Sequence, residues 1–173
     1  MAQDLTSDIE RAIAATEEDG LKRGVVQFET LAERSLQNPD SNSNLVEVCE
    51  AATQAIDVDL LKKPTSLFWN CPDSSVREWL GDDAFEQLSP KRLVVVAPEL
   101  PENLRGKSGY ADLSFDVTAR GRVKNIVVLA STNRDYANLA KKVARTTIYK
   151  PAEFNGKPFR RSGVTWRLSF STE

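Results

Sequence analysis

The chain has 173 residues, enough for one sizeable core or two small ones, and its 28% charged and 40% hydrophobic residues are typical of a globular protein. It contains no histidine, which excludes histidine general bases, serine–histidine–aspartate triads and histidine metal sites. With two cysteines a four-cysteine zinc site is also excluded, so we expect no catalytic residues, no metal and no cofactor.

The net charge of −2 conceals an asymmetry between the two halves of the chain. Residues 1–88 contain 18 Asp/Glu and 7 Lys/Arg, a net charge of −11, and residues 89–173 contain 7 Asp/Glu and 16 Lys/Arg, a net charge of +9. Such a split predicts two units with different surfaces. We expect an acidic helical module at 1–64, a connecting segment at 65–90 and a carboxy-terminal domain at 91–173.

Three helices are predicted in the acidic module. The capping box Ser7-Asp8-Ile9-Glu10 predicts the start of the first helix, and apolar residues at helical spacing predict a second helix at 21–37. After a break at 38–41, the apolar stripe of the third helix runs from Leu45 to Leu60. The module is either a plain helical bundle or a peptide-binding helical repeat.

Cys49 lies on the third predicted helix, and Cys71 lies in a turn of the connecting segment. In an oxidising compartment the two can form a disulfide. The alternative is that Cys49 is a small buried residue and Cys71 a free thiol.

The carboxy-terminal domain begins with a short strand candidate, Lys91–Ala97. The alternating segment 109–118 predicts a half-buried strand, which turns at Gly121 into a second strand at 123–130. In that second strand Val127 and Leu129 are assigned to the face of Val123, while Ile126 and Val128 are assigned to the opposite face. Thr132 with Asp135 is predicted to cap a helix, and Pro151 ends the helical region.

The last predicted strand has Val164, Trp166, Leu168 and Phe170 facing inward and Thr165, Arg167 and Ser169 facing outward. The fold class is therefore α+β, an all-helical module followed by a three-stranded antiparallel sheet with one packed helix. The residues predicted to be buried are Leu113, Phe115, Leu129, Leu139, Val143, Trp166 and Leu168.

The free edge of the last strand is the main functional feature. Because no further strand follows it, its backbone groups are available for pairing with another chain. The basic residues Arg160, Arg161 and Arg167 favour an acidic partner and fast association at low salt.

Residues 98–173 resemble the carboxy-terminal domain of TonB, the energy transducer of Gram-negative periplasms. The resemblance rests on Pro98-Glu99-Leu100-Pro101, the segment FDVTARGRVKNIVVLAS, Tyr149-Lys150-Pro151, Asn155-Gly156 and a closing strand that ends in Phe170. The chain departs from the family at Leu100, where a tyrosine is usual. It also carries an acidic helical module in place of a transmembrane anchor and a proline-rich spacer.

The resemblance implies a periplasmic module that binds an outer-membrane transporter of energy-coupled uptake, with the transporter segment added as a strand. The implied contact residues are Arg160, Arg161, Val164, Thr165, Trp166, Arg167, Leu168 and Ser169. The alternative is a soluble periplasmic adaptor, in which the helical module binds peptides and the TonB-like domain docks on another envelope protein.

Several partner classes are excluded or left open by the sequence. We expect no enzyme activity, and no nucleic-acid binding, because the basic residues are scattered and no RNA-binding signature is present. A homodimer through the edge of the last strand is an alternative use of that edge. No apolar run is long enough to span a membrane, so we expect any inner-membrane anchor to lie outside this sequence.

Overall fold

The computed structural model describes residues 4–18, 20–38 and 42–171. The chain forms two compact units, Met1–Glu86 and Gln87–Glu173. Most of the predicted break at 38–41 lies outside the described residues. No helix in the described ranges has both the length and the apolar character needed to cross a membrane.

The first unit is helical, and its core is formed by apolar faces of several helices. Ala12, Phe28, Val48, Ala52 and Val76 are completely buried. The helices are α1 (Leu5–Glu18), α2 (Leu21–Leu36), α3 (Asn42–Ala55), α4 (Leu67–Asn70), α5 (Asp73–Leu80) and α6 (Asp82–Gln87), with a 3-10 turn at Val58–Leu60.

Two predicted helix ends in this unit are wrong. Helix α1 begins at Leu5 rather than at the predicted capping box, because Asp4 accepts a hydrogen bond from the Thr6 N–H (3.2 Å) and caps the first turn. Helix α3 ends at Ala55, and Leu60, which was assigned to its apolar stripe, is 63% exposed in the 3-10 turn.

The segment 65–90, where we expected a connection, contains three short helices. Its start is fixed to α2, because Glu29 Oε1 accepts hydrogen bonds from Thr65 Oγ1 (2.6 Å) and the Ser66 N–H (3.0 Å). Leu67 and Phe68 of α4 are buried, so this part of the segment belongs to the packed helical unit.

Cys49 on α3 and Cys71 at the end of α4 are joined by a disulfide. Their Cα atoms lie 5.8 Å apart, and the bridge spans 22 residues of sequence. Both side chains are buried, so the bridge is part of the interior of the first unit.

The second unit contains a three-stranded antiparallel sheet of order β3-β2-β7 and one long helix, α7 (Arg134–Thr146). Two two-stranded sheets, β1-β4 and β5-β6, complete it. The α+β fold class is confirmed. The strands are β1 (Lys91–Val94), β2 (Gly109–Val117), β3 (Val123–Ser131), β4 (Ile148–Lys150), β5 (Ala152–Phe154), β6 (Lys157–Phe159) and β7 (Arg161–Phe170).

The core of this unit lies between the sheet and α7. Alternate residues of β2 are buried, as the sequence predicted, and they pack with the apolar stripe of α7. Five of the predicted core residues are confirmed as buried, and Trp166 is partly buried against the same core. These five are Leu113, Phe115, Leu139, Val143 and Leu168.

The predicted face of Leu129 is wrong. Between the pairs Asp116–Lys124 and Ser114–Val127, strand β3 has one more residue than β2. A second extra residue, Leu129, lies between the pairs Leu113–Val128 and Asp112–Ala130. Each β-bulge shifts the alternation of the side chains by one position. As a result Val127 is 56% and Leu129 60% exposed, while Ile126 and Val128 pack against the core.

The cap of α7 also differs from the prediction. Asn133 is the N-cap, and its side chain accepts hydrogen bonds from the backbone N–H groups of Asp135 (3.0 Å) and Tyr136 (3.2 Å). The hydroxyl of Thr132 instead accepts a hydrogen bond from the Tyr110 N–H (2.9 Å), which ties the end of β3 to the start of β2.

Candidate functional site

Strand β7 lies at one end of the three-stranded sheet. It pairs with β2 over nearly its whole length, from Phe170 opposite Gly109 to Arg161 opposite Val117. Within the described ranges β2 is the only strand that pairs with it. Because alternate residues of a strand direct their N–H and C=O groups to opposite edges, every second residue of β7 presents unpaired backbone groups.

A bulge limits the regular part of this edge. Strand β7 has three residue steps between Arg161 and Val164, where β2 has two between Val117 and Phe115. Gly163 in the bulge has a φ of +69°, a conformation that glycine adopts without strain. The regular edge therefore runs from Val164 to Phe170.

The two faces of this edge have different chemistry. Thr165, Arg167 and Ser169 are exposed on the outer face, away from α7. On the inner face Leu168 is buried, while Val164, Trp166 and Phe170 are partly buried against the core. The regular edge thus carries six of the residues that the sequence proposed for partner binding, which are Val164, Thr165, Trp166, Arg167, Leu168 and Ser169.

Arg167 is held by a carboxylate of its own sheet. Its Nε and Nη2 atoms donate to Asp112 Oδ1 and Oδ2, both at 2.7 Å, across the β2–β7 pair. The same guanidinium lies 4.7 Å from the centroid of the Tyr110 ring. The hydrogen bonds between these two side chains lower the pKa of Asp112 and raise the pKa of Arg167.

Arg160 and Arg161 precede the regular edge. Arg160 forms an ion pair with Asp116, which also accepts a hydrogen bond from Asn125 Nδ2 (2.8 Å), and the hydrogen bond from Arg160 is the main cause of the lowered pKa of Asp116. Arg161 donates to the Ser162 carbonyl (3.1 Å), and burial lowers its pKa. Two of the three predicted basic contacts are therefore neutralised by carboxylates of β2.

A depression of about 290 Å³ extends across all three strands of the sheet, from Leu129 of β3 to Thr165 and Arg167 of β7. Its apolar wall includes Leu129, which sequence analysis had placed in the core. No clear signal in the sequence marks the bulges that turn this residue outward. The lining residues are Asp112, Leu113, Leu129, Thr165, Trp166 and Arg167.

The described part of the chain has no group of three or more Cys, Asp or Glu side chains arranged to hold a metal ion. The features at the β7 edge are backbone donors and acceptors, partly exposed apolar side chains and internally paired charges. These features suit recognition of an extended polypeptide.

The chain is similar to known proteins in its second unit. Residues 98–172 match the family described as Gram-negative bacterial TonB protein C-terminal. The solution NMR structure of the Pseudomonas aeruginosa TonB carboxy-terminal domain is similar at 26% sequence identity and a TM-score of 0.42, over 54% of this chain and 92% of that one. No curated protein matches the chain.

Proposed function

We propose that this domain binds a segment of an outer-membrane transporter by adding it as a strand to β7, since residues 98–172 match the TonB carboxy-terminal family. The observation that carries the proposal is the regular edge from Val164 to Phe170, which in the described residues is paired on one side only. The role is that of an energy transducer in transport and requires no catalytic group.

The faces of β7 define the kind of segment that fits. An added strand places its side chains alternately beside the outer residues Thr165, Arg167 and Ser169 and beside the inner residues. On the inner side, apolar side chains of the partner cover the exposed parts of Val164 and Phe170. This burial contributes about 25 cal/mol of binding free energy for each Å² of apolar surface removed from water. The favoured partner segment therefore alternates apolar and polar residues.

The ion pairs change the charge that the partner is expected to carry. Since Asp112 and Asp116 already bind Arg167 and Arg160, these two arginines contribute little net charge to the edge. We therefore expect a weak dependence of the dissociation constant on salt, in place of the acidic preference that the sequence suggested. Titrations at low and high ionic strength measure this dependence directly.

The disulfide supports a periplasmic location. A bridge such as Cys49–Cys71 forms and persists in oxidising compartments, and the bacterial periplasm is one of them. An outer-membrane protein presents segments to the same compartment, so the proposed location and the proposed partner agree.

Site-specific cross-linking tests strand addition. In the 173-residue chain carrying Thr165→Cys, a transporter peptide with one cysteine moved along its sequence should cross-link at alternate positions, because alternate side chains of a strand lie on the outer face. Val127→Cys is the matched control, since Val127 is 56% exposed on β3, the other outer strand of the sheet. Equal cross-linking at all peptide positions, or stronger cross-linking at Val127→Cys, would contradict the proposal.

A further inference from the structure

Strand β4 lies between β1 and the turn that joins β2 to β3. On one side Lys150 and Ile148 pair with Lys91 and Val94 of β1, and on the other side Ile148 forms a bridge with Arg122. Residues that face each other in antiparallel strands direct their side chains to the same face, and so do alternate residues of one strand. Lys91, Val94, Arg122, Ile148 and Lys150 therefore share one face, which we call the cationic face.

The cationic face points to solvent, because the opposite face is turned to the core. Tyr149, between Ile148 and Lys150, is 4% exposed and packs among the core residues of the second unit. Val123, which follows Arg122, is buried in the same core. The three cations of the face, Lys91, Arg122 and Lys150, are accordingly all exposed.

The positive charges of this face have no carboxylate partner in the described part of the chain. None of its three cations forms an ion pair there, in contrast to Arg160 and Arg167 beside the β7 edge. Lys91 and Lys150 face each other directly, an arrangement that destabilises a strand pair. Arg120, exposed in the adjacent turn, adds a further positive charge. A negatively charged ligand on this face would offset the repulsion.

The backbone of the adjacent turn does not form a pocket for a single anion. The Gly121 N–H donates to the Thr118 carbonyl (2.9 Å), and the N–H groups of Arg120 (3.3 Å) and Arg122 (3.1 Å) donate to the Thr118 hydroxyl. Phosphate-binding loops instead direct several backbone N–H groups at the ligand. The cations available here are on long, flexible side chains, which suit a surface that carries many phosphate groups.

Apolar side chains accompany these cations. Val94 is 48% exposed on the cationic face, and Leu93, the extra residue of the β1 bulge, is 63% exposed. Exposed aliphatic groups beside lysine and arginine are typical of segments at a membrane interface, where the cations bind anionic headgroups and the apolar groups enter the acyl boundary. A single-stranded nucleic acid would instead need aromatic rings for base stacking, and none of the five residues of the face is aromatic.

We propose that the cationic face binds the surface of a membrane that contains anionic phospholipids. Lys91, Arg122 and Lys150 contact the phosphate groups, and Val94 lies against the acyl boundary. The inference does not rest on the function proposed above, since none of these residues belongs to β7. Peptide binding at the β7 edge should therefore persist in variants that no longer bind the membrane.

Co-sedimentation of the 173-residue chain with vesicles tests the proposal. The wild type should sediment with vesicles that mix phosphatidylglycerol with phosphatidylcholine, and it should stay in solution with phosphatidylcholine alone. Lys150→Glu should weaken binding to the anionic vesicles at least about fivefold, because it removes a cation and adds a repelling carboxylate. Equal binding of the wild type to both kinds of vesicle would overturn the proposal.

Lys107→Glu is the matched control for the change of charge. Lys107 is exposed and precedes β2, at the opposite end of that strand from the turn of the cationic face. This variant should bind the anionic vesicles as the wild type does. Equal weakening by Lys107→Glu and Lys150→Glu would show that only the total charge matters and would overturn the proposal.

The stability of Lys150→Glu separates lost binding from lost structure. The variant places a carboxylate opposite Lys91 and so replaces a repulsive pair by an attractive one. Its urea midpoint should therefore rise while its binding to vesicles weakens. A lower midpoint would contradict the placement of these two side chains on one face and would overturn the proposal.

Competition at constant ionic strength identifies the source of the phosphate groups. Inorganic phosphate and a single-stranded oligonucleotide should each leave the wild type on the anionic vesicles. Displacement by inorganic phosphate would assign the face to a free anion, and displacement by the oligonucleotide would assign it to nucleic acid. Either result would overturn the membrane proposal.

Discussion

Two carboxylates of β2 hold arginine side chains at the candidate edge. Asp112 binds Arg167 through two hydrogen bonds, and Asp116 binds Arg160 as well as the side chain of Asn125. Because these contacts join β2 both to β7 and to β3, they fix the positions of the strands beside the proposed binding edge. The charges of Arg160 and Arg167 therefore stabilise the sheet, and they are not free to attract a charged partner.

The Asp112–Arg167 pair predicts a loss of stability in acid. The pKa of Asp112 is lowered in the folded protein, mainly by the hydrogen bonds from Arg167, below the ordinary value of about 3.9. The pair therefore stabilises the fold above about pH 4, and this contribution is lost as the pH falls through the lowered pKa. The difference in urea midpoint between wild type and Asp112→Asn should shrink below pH 4. A difference that stays constant down to pH 2 would contradict this assignment.

Gly121 has a structural requirement that another glycine lacks. A Cβ at Gly121 would lie 1.9 Å from the carbonyl oxygen of Tyr149, and its φ is +74°. Gly156 has a similar φ of +72° but open space around it. We expect Gly156→Ala to cost about 1 kcal/mol through backbone strain alone, and Gly121→Ala to cost more than about 2 kcal/mol. Chemical denaturation of both variants measures the difference, and equal costs would contradict the close contact.

At the scale of the elements, the buried faces of β2 and β7 could be predicted from the sequence, whereas for β3 the strand could be predicted but its buried face could not. Strands β2 and β7 keep strict alternation through their central residues, so the period alone identifies their buried faces. In β3 the extra residues near Asn125, whose φ is +51°, and at Leu129 shift the alternation twice. A bulge depends on the partner strand as well as on local sequence, and the pattern of one strand does not contain that information.

Short elements were missed for a related reason. Strands β4, β5 and β6 have three residues each, too few to show a period. The candidate edge could be predicted because it lies on a long strand at the end of the described chain. The pairing of Arg160 and Arg167 with β2 carboxylates could not, since it depends on the register between strands distant in sequence.

Substitution of two leucines tests which faces of β2 and β3 are buried. Leu113 of β2 is completely buried, whereas Leu129 of β3 is 60% exposed. Leu113→Ala should cost about 2–5 kcal/mol because it removes buried methyl groups and leaves a cavity, and Leu129→Ala should change the free energy of unfolding by less than about 0.5 kcal/mol. Urea unfolding of both variants provides the measurement. A large loss for Leu129→Ala would place that side chain in the core after all.

At the scale of the whole molecule, the chain combines an acidic helical unit with a basic α+β unit. The division at Glu86 separates the −11 and +9 halves of the sequence, since the two residues that follow it, Gln87 and Leu88, are uncharged. The disulfide lies entirely within the first unit, and the proposed binding edge lies entirely within the second. Stability and binding can therefore be changed separately.

Removal of the disulfide should affect one unit only. For a bridge that spans 22 residues, loss of both cysteines in Cys49→Ser/Cys71→Ser should destabilise the helical unit by about 3 kcal/mol, because the unfolded chain gains freedom. Native-state amide exchange reports each unit by itself, with α3 for the first and β2 for the second. Equal acceleration of exchange in β2 would show that the two units unfold together and would contradict this prediction.

Amide hydrogen exchange along β7, with and without a bound transporter peptide, tests strand addition most directly. In the free protein every second amide from Val164 to Phe170 should exchange slowly because it bonds to β2, and the amides between them should exchange fast. A saturating peptide should slow that fast set and leave the outer edge of β3 unchanged. If the fast set stays fast at saturation, or if the slowing occurs on β3 instead, the peptide does not bind as a strand on β7.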